Sequence, residues 1–189
     1  MRRLFISAGH SANGGIDKGV PPTPFSKGKT EGELTLALRN SLADTLKGMG
    51  IEVHKDKDTN ALKETLAHIK NIFTSKPNDI LIDIHFNAFN GKANGVEVII
   101  PTAASIKEVT IAQRVCELFS NFGFKNRGVK DEKRTARGTL GWMRPSGENI
   151  LIEVCFMDNE GDMKIYFEKF QEIQYTLALL LRDEFLKNS

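Results

Sequence analysis

Short apolar runs alternate along the chain with longer stretches in which large apolar residues recur every three or four positions. The runs are too short for helices and too apolar to face water. Because strands buried on both faces of a parallel sheet have this character, we expect such strands here. The predicted strands lie within residues 4–10, 51–53, 80–85, 95–100 and 150–153.

Four helices are predicted between and after these strands. The first begins near Thr30, where Thr30 and Glu33 have the spacing of a capping box, and four leucines follow at four-residue intervals. The others are expected over residues 60–76, from Ser105 onward, and over residues 160–187. Alternation of strands with helices predicts an α/β fold, with one twisted, mostly parallel β-sheet flanked by helices on both faces.

Composition narrows the class of protein. A chain of 189 residues with 40% hydrophobic content can bury a full core, and we expect residues 1–189 to form a single domain. Cys116 and Cys155 have no framework spacing and are expected to be reduced. With a net charge of +2, the chain lacks the large excess of basic residues that is typical of nucleic-acid-binding proteins. No apolar stretch reaches the length of a membrane span or of a signal peptide. We therefore expect synthesis in the cytoplasm without a signal peptide, and no membrane insertion.

Three of the predicted strands end in side chains that bind metals or move protons, namely His10, His85 and Glu153. Because the carboxyl ends of parallel strands meet at one edge of a sheet, these side chains should lie together. Either histidine alone is equally compatible with a hydrogen-bonded core residue, but two in the same position favour a site. Asp83, inside its strand, is a candidate for orienting a ligand histidine.

A catalytic zinc site uses three protein ligands, so a third is needed beside the histidines. Glu31 and Glu33 both lie in the first turn of the predicted helix, and Glu33 already has the capping position, which favours Glu31. Glu153 follows a buried strand, where desolvation should raise its pKa toward the range of a general base. The alternative is a buried carboxylate paired with Arg137 or Arg144.

Several segments together resemble the zinc-dependent N-acetylmuramoyl-L-alanine amidases of the amidase-3 type, which include autolysins and the catalytic domains of phage endolysins. The resemblance spans nearly the whole chain, from Leu4 to the terminal helix. Its segments are His10, Glu31, His85-x-Asn87-Ala88, Asn126-Arg127-Gly128-Val129-Lys130 and Glu153-x-x-Phe156-x-Asp158-Asn159. The chain departs from the family at Ser11-Ala12-Asn13, where many members have two glycines, at Cys155, where many have glycine, and in the segment 11–29.

The resemblance implies zinc bound by His10, Glu31 and His85, with Glu153 as the catalytic carboxylate. It implies a peptidoglycan hydrolase that cleaves the amide between N-acetylmuramic acid and L-alanine of the stem peptide, by zinc-activated water and a glutamate general base and acid. We expect one catalytic domain without a separate cell-wall-binding module, a monomer, acting on the wall after release or export. Alternatives are a catalytically silent peptidoglycan-binding module of this fold, or a zinc peptidase or deacylase with another amide substrate.

Substrate contacts are less sharply indicated. Asn87 is a candidate for touching substrate or for bracing the loop after His85, and Arg144 is a second candidate substrate-binding residue. The basic region 125–144 could hold carboxylates of the stem peptide, with glycan docking on Trp142. The alternative, which we favour, is a solvated loop whose charge is offset by neighbouring acidic residues, with Trp142 in the core.

Overall fold

A computed structural model describes residues 3–12 and 14–187, and in it six strands form one sheet. Its order is β2-β1-β3-β6-β4-β5, and the strand pairs are parallel except for β4 and β6, which are antiparallel. In chain order the strands are β1 (Leu4–Ala8), β2 (Val53–Lys55), β3 (Ile80–Asn87), β4 (Val96–Ile100), β5 (Asn126–Asp131) and β6 (Glu148–Phe156). The predicted α/β class with a mostly parallel sheet is confirmed.

Four α-helices accompany the sheet: α1 (Glu31–Gly48), α2 (Leu62–His68), α3 (Ile106–Asn121) and α4 (Glu160–Leu186). A π-helical turn, Ile69–Phe73, continues α2, and two short 3-10 turns precede β6. The capping box of α1 forms as predicted, because Thr30 Oγ1 accepts from the Glu33 amide while the Glu33 carboxylate accepts from the Thr30 amide.

The two faces of the sheet are covered unequally. Helices α1, α3 and α4 pack on one face against alternate strand residues such as Ile82 and Ile152. The π-helical turn and the 3-10 turn containing Trp142 cover the other face, against Leu81 and Leu151. Side chains alternate between faces along a strand, so Asp83, His85 and Glu153 share the thinly covered face.

Three segments differ from the prediction. The helix expected over residues 60–76 is split between α2 and the π-helical turn, and ends at Thr74 in the left-handed region, with φ of 50°. The strand expected at 51–53 forms at Val53–Lys55. Strand β5 was not predicted, because it is an edge strand of largely polar residues, and charged side chains are tolerated at sheet edges.

Cys116 and Cys155 are both free and buried, as their spacing suggested. Among residues 3–12 and 14–187, no helix combines the length and the apolar character that a membrane crossing needs.

Candidate active site

The structure brings the side chains of His10, Glu31 and His85 together at the carboxyl edge of β1 and β3. His10 Nε2 lies 3.4 Å from Glu31 Oε2, and His85 Nδ1 lies 3.2 Å from Glu31 Oε1. One ligand atom from each residue falls within 4.8 Å of the other two. Two imidazoles and a carboxylate at this spacing are a donor set that suits zinc.

Local backbone geometry aims Glu31 into this cluster. Its two carboxylate oxygens accept hydrogen bonds of 3.0 Å from the Val20 and Phe86 amides, and only 3% of the residue is exposed. Glu33, in the same helical turn, is held in the capping box and is exposed. The structure therefore separates the two glutamates in the way that the capping-box argument predicts.

Two glycines, Gly9 and Gly19, leave room for the side chains of His85 and Glu31. A Cβ on Gly9 would lie 2.1 Å from His85 Nε2, so a side chain there would displace the imidazole. Gly19 has φ of 64°, and a Cβ on it would lie 2.4 Å from Glu31 Oε2. Gly19 and Val20 thus pack directly against Glu31, a predicted metal ligand.

Each histidine also has a carboxylate on its outer side. Asp17 Oδ1 lies 2.9 Å from His10 Nδ1, and Asp83 Oδ2 lies 3.1 Å from His85 Nε2. When these outer nitrogens donate to the carboxylates, His10 Nε2 and His85 Nδ1 turn lone pairs toward Glu31. With both imidazoles neutral, three electron-pair donors face one another, an arrangement that a bound cation would stabilise.

Neighbouring charged groups shift the pKa values of His85 and Glu31. Burial alone would lower the pKa of His85, but Asp83 and Glu31 outweigh it and raise the pKa well above its ordinary value. Burial opposes ionisation of Glu31 too, yet His85 and His10 hold the pKa of Glu31 below its usual range. Asp83 occupies the orienting position that the sequence suggested. Asp17 was missed, because no periodic pattern marks a residue inside an irregular segment.

Glu153 lies next to His85, its register partner across β3 and β6. Burial, opposed by His85 and reinforced by Glu31, Glu97 and Asp83, raises the pKa of Glu153 to about 7. Among the described residues Glu153 Oε2 has no hydrogen-bond partner, and no arginine pairs with the carboxylate. The alternative of a structural ion pair with Arg137 or Arg144 is therefore not found in this structure.

His10, Glu31, His85 and Glu153 line one cavity of about 430 Å³. Asn87 also lines it, and its Nδ2 donates to Glu97 Oε1 at 3.2 Å. Glu97 Oε2 accepts from Arg127 Nε and from Lys130 Nζ, each at 2.6 Å. Asn87 thus lies at the site and is braced by Glu97, a residue that the sequence argument did not single out.

The structure does not place Arg144 with the other candidates. Its Nη2 donates to Glu132 Oε2 at 2.9 Å, and the residue lines a separate cavity of about 470 Å³ beside Leu66 and Ile69. Trp142 is 1% exposed and donates from Nε1 to the Ile150 carbonyl oxygen, so it belongs to the core and offers no glycan platform. The buried Glu132 carboxylate draws Arg144 away from the cavity, which the sequence alone could not reveal.

Comparison with known proteins decides the family. Residues 4–180 match the amidase-3 family, described as N-acetylmuramoyl-L-alanine amidase. The chain belongs to this family. The match covers the segments that contain His10, Glu31, His85 and Glu153, and it confirms the resemblance drawn from the sequence. A search of curated protein sequences found no match.

Solved structures with the fold of this amidase family are similar along nearly the whole chain. Cwp6 from Clostridium difficile is 26% identical with a TM-score of 0.78; the alignment covers 98% of this chain but only 29% of Cwp6. The catalytic domain of an endolysin targeting Clostridia difficile is 26% identical, with a TM-score of 0.68 and coverage of 98% and 97%. An N-acetylmuramoyl-L-alanine amidase from Clostridium difficile 630, at 24% identity, shares the fold, with a TM-score of 0.75 and coverage of 100% and 98%.

Proposed function

We propose that this chain is a zinc-dependent N-acetylmuramoyl-L-alanine amidase, which hydrolyses the amide between N-acetylmuramic acid and L-alanine of the peptidoglycan stem peptide. One observation carries the proposal: a set of His, Glu and His side chains lies beside a half-buried carboxylate, Glu153, whose buried Oε2 has no partner among the described residues. Structural carboxylates are normally paired, so an unpaired one at a metal-type site supports a catalytic role. The wall substrate further implies action after release or export.

His10, Glu31 and His85 would hold the metal, and zinc supplies a Lewis acid at such a site. The protein's own contribution is proton transfer by Glu153. Its carboxylate takes a proton from the attacking water as the new C–O bond forms, and returns it to the alanine nitrogen as the C–N bond breaks. A pKa of about 7 suits both directions of transfer near neutral pH. The products are the lactyl carboxylate and a free alanine amine.

The set of His10, Glu31, His85 and Glu153 also allows a comparison with the two alternatives, a silent binding module and a zinc peptidase or deacylase. A silent peptidoglycan-binding module would have no use for a desolvated carboxylate beside a ligand set, so the complete set supports an enzyme. A zinc peptidase or deacylase would need the same ligands and base. The substrate, and not the site, therefore separates that alternative from the amidase.

The deciding experiment compares the zinc-loaded wild type with Glu153→Ala on purified sacculi. Bound metal is measured in both proteins, and the released peptides are analysed by mass spectrometry. We expect the wild type to release stem peptides with a free N-terminal alanine. Glu153→Ala should keep its metal and lose at least about a hundredfold in rate.

Each other outcome has a definite meaning. If the wild type binds zinc, leaves sacculi intact and hydrolyses other acyl-peptides, the deacylase alternative replaces the amidase. If the wild type binds no zinc, the ligand assignment of His10, Glu31 and His85 is wrong.

A further inference from the structure

One wall of the active-site cavity is basic, and its basic side chains differ in whether an acidic side chain pairs with them. We define this basic wall as Lys130, Arg134 and Arg137, all of which line the cavity. Lys130 is paired with Glu97 at 2.6 Å. Arg134 Nε lies 3.6 Å from Asp131 Oδ2, with 76% of its side chain exposed.

Arg137 has no acidic partner anywhere in residues 3–12 and 14–187. The nearby Glu132, which would be the obvious counterion, is buried and already occupied. Its Oε2 accepts from the Leu140 amide at 2.8 Å and from Arg144 Nη2 at 2.9 Å. The solvated loop with offset charges, favoured from the sequence, therefore does not describe Arg137.

The same contacts hold the loop in place. The Glu132 carboxylate joins the beginning of the loop to its end, because it accepts a hydrogen bond from the Leu140 amide. Thr135 Oγ1 donates to the Glu132 carbonyl oxygen at 2.7 Å. The Thr139 amide donates to the Arg137 carbonyl oxygen at 2.8 Å. The basic wall thus stands on a loop whose backbone is held by hydrogen bonds, so binding there would require little further ordering of the backbone.

We propose that Arg137, assisted by Arg134, binds a carboxylate of the peptide part of the substrate. This inference rests on the proposed function and names the feature of the substrate that the site selects. Lys130 and Arg134 each lie within ion-pair distance of a carboxylate of the protein, whereas Arg137 lines the cavity without one in the described residues, so its charge is available to a carboxylate of the substrate. A guanidinium matches a carboxylate in shape and can donate two parallel hydrogen bonds to it.

The test uses a pair of muramoyl-peptides, one with free peptide carboxylates and one with the same groups converted to carboxamides. For the wild type, KM should be about tenfold lower for the carboxylate compound. Arg137→Gln should raise that KM about tenfold, leave kcat nearly unchanged, and have no effect on the carboxamide.

The matched control is Lys133→Gln. It makes the same charge change in the same loop, but Lys133 is exposed and does not line the cavity. Lys133→Gln should leave both KM values unchanged. Equal effects of Arg137→Gln on both compounds, or equal effects of the two variants, would overturn the inference while the amidase activity stood.

Equilibrium binding of the same compounds, measured by calorimetry, separates this inference from the proposed function. The wild type could bind the compounds in a way that depends on both the carboxylate and Arg137 and yet release no alanine amine. That result would support the inference and refute the amidase proposal. If Arg137→Gln weakened the attack on intact sacculi but altered neither turnover nor binding of the isolated compounds, the bound anion would not be a peptide carboxylate, and the inference would fail.

Discussion

Glu153 should destabilise the metal-free fold at neutral and alkaline pH. Its pKa rises from 4.5 to about 7 on folding, chiefly because burial disfavours the charged carboxylate. The folded state therefore holds the proton more tightly than the unfolded state, and stability falls as pH rises from about 4.5 to about 7. Glu153→Gln keeps the shape of the side chain and removes the ionisation, so it should stabilise the metal-free protein.

The rise in pKa corresponds to about 3 kcal/mol. Glu153 is partly open to the cavity, and solvent screening reduces the expected gain to about 2 kcal/mol. For a chain of this length, that gain is an increase in Tm of about 4 to 8 °C. The full gain should be present above about pH 7 and absent well below pH 4.5, where the wild-type carboxylate is protonated in both the folded and the unfolded state.

Thermal or urea unfolding of chelator-treated protein across this pH range measures the effect. Glu33→Gln is the control with the opposite sign, because hydrogen bonds from Thr30 lower the pKa of Glu33. It should destabilise at neutral pH, and the loss should disappear as pH falls. Zinc should shrink the gain from Glu153→Gln, because a nearby cation favours the charged carboxylate.

A pH-independent difference between Glu153→Gln and the wild type would refute this reasoning. So would a loss of stability in Glu153→Gln above about pH 7. Either result would mean that the carboxylate is solvated or paired in the folded protein, and the argument for a poised general base would lose its physical support.

The remaining predictions concern the metal ligands and the core. Glu31→Gln should abolish stoichiometric zinc binding while Glu33→Gln keeps it, as measured by metal analysis after dialysis; equal retention in both would mean that Glu31 is not a ligand. Asp17→Asn should weaken zinc affinity about 10- to 100-fold in competition with a chromophoric chelator, because the carboxylate orients His10; unchanged affinity would leave Asp17 without an orienting role. Leu38→Ala, at a fully buried position of α1, should cost about 2 to 5 kcal/mol in urea unfolding, and a cost below about 1 kcal/mol would contradict the packing described here.

The central part of the site follows from sequence pattern because it lies on regular elements. Strands β1, β3 and β6 are buried on both faces, so their apolar runs mark them, and their polar ends predict where His85 and Glu153 meet. The choice between Glu31 and Glu33 is also local, since it depends only on the capping box. Local rules and strand order together account for the predicted metal ligands.

The periphery does not follow from pattern because tertiary contacts decide it. Asp17 acquires its place beside His10 only through the folded path of an irregular segment. Arg137 and Arg144 have the same charge and lie seven residues apart in the chain, yet the buried Glu132 engages Arg144 and leaves Arg137 at the cavity. Such choices depend on burial of a single carboxylate, which no periodicity signals.

The position of β6 has a consequence for the order in which the sheet and the candidate site can form during synthesis. This strand is sixth in the chain but lies between β3 and β4 in the sheet. Until residues 148–156 emerge from the ribosome, the nascent chain can form only two part-sheets, each with an open edge that seeks a partner. His10, Glu31 and His85 are all made earlier, whereas Glu153 arrives with β6. A growing chain therefore contains the three proposed metal ligands before it contains the proposed general base, which lies on the strand that joins the two part-sheets.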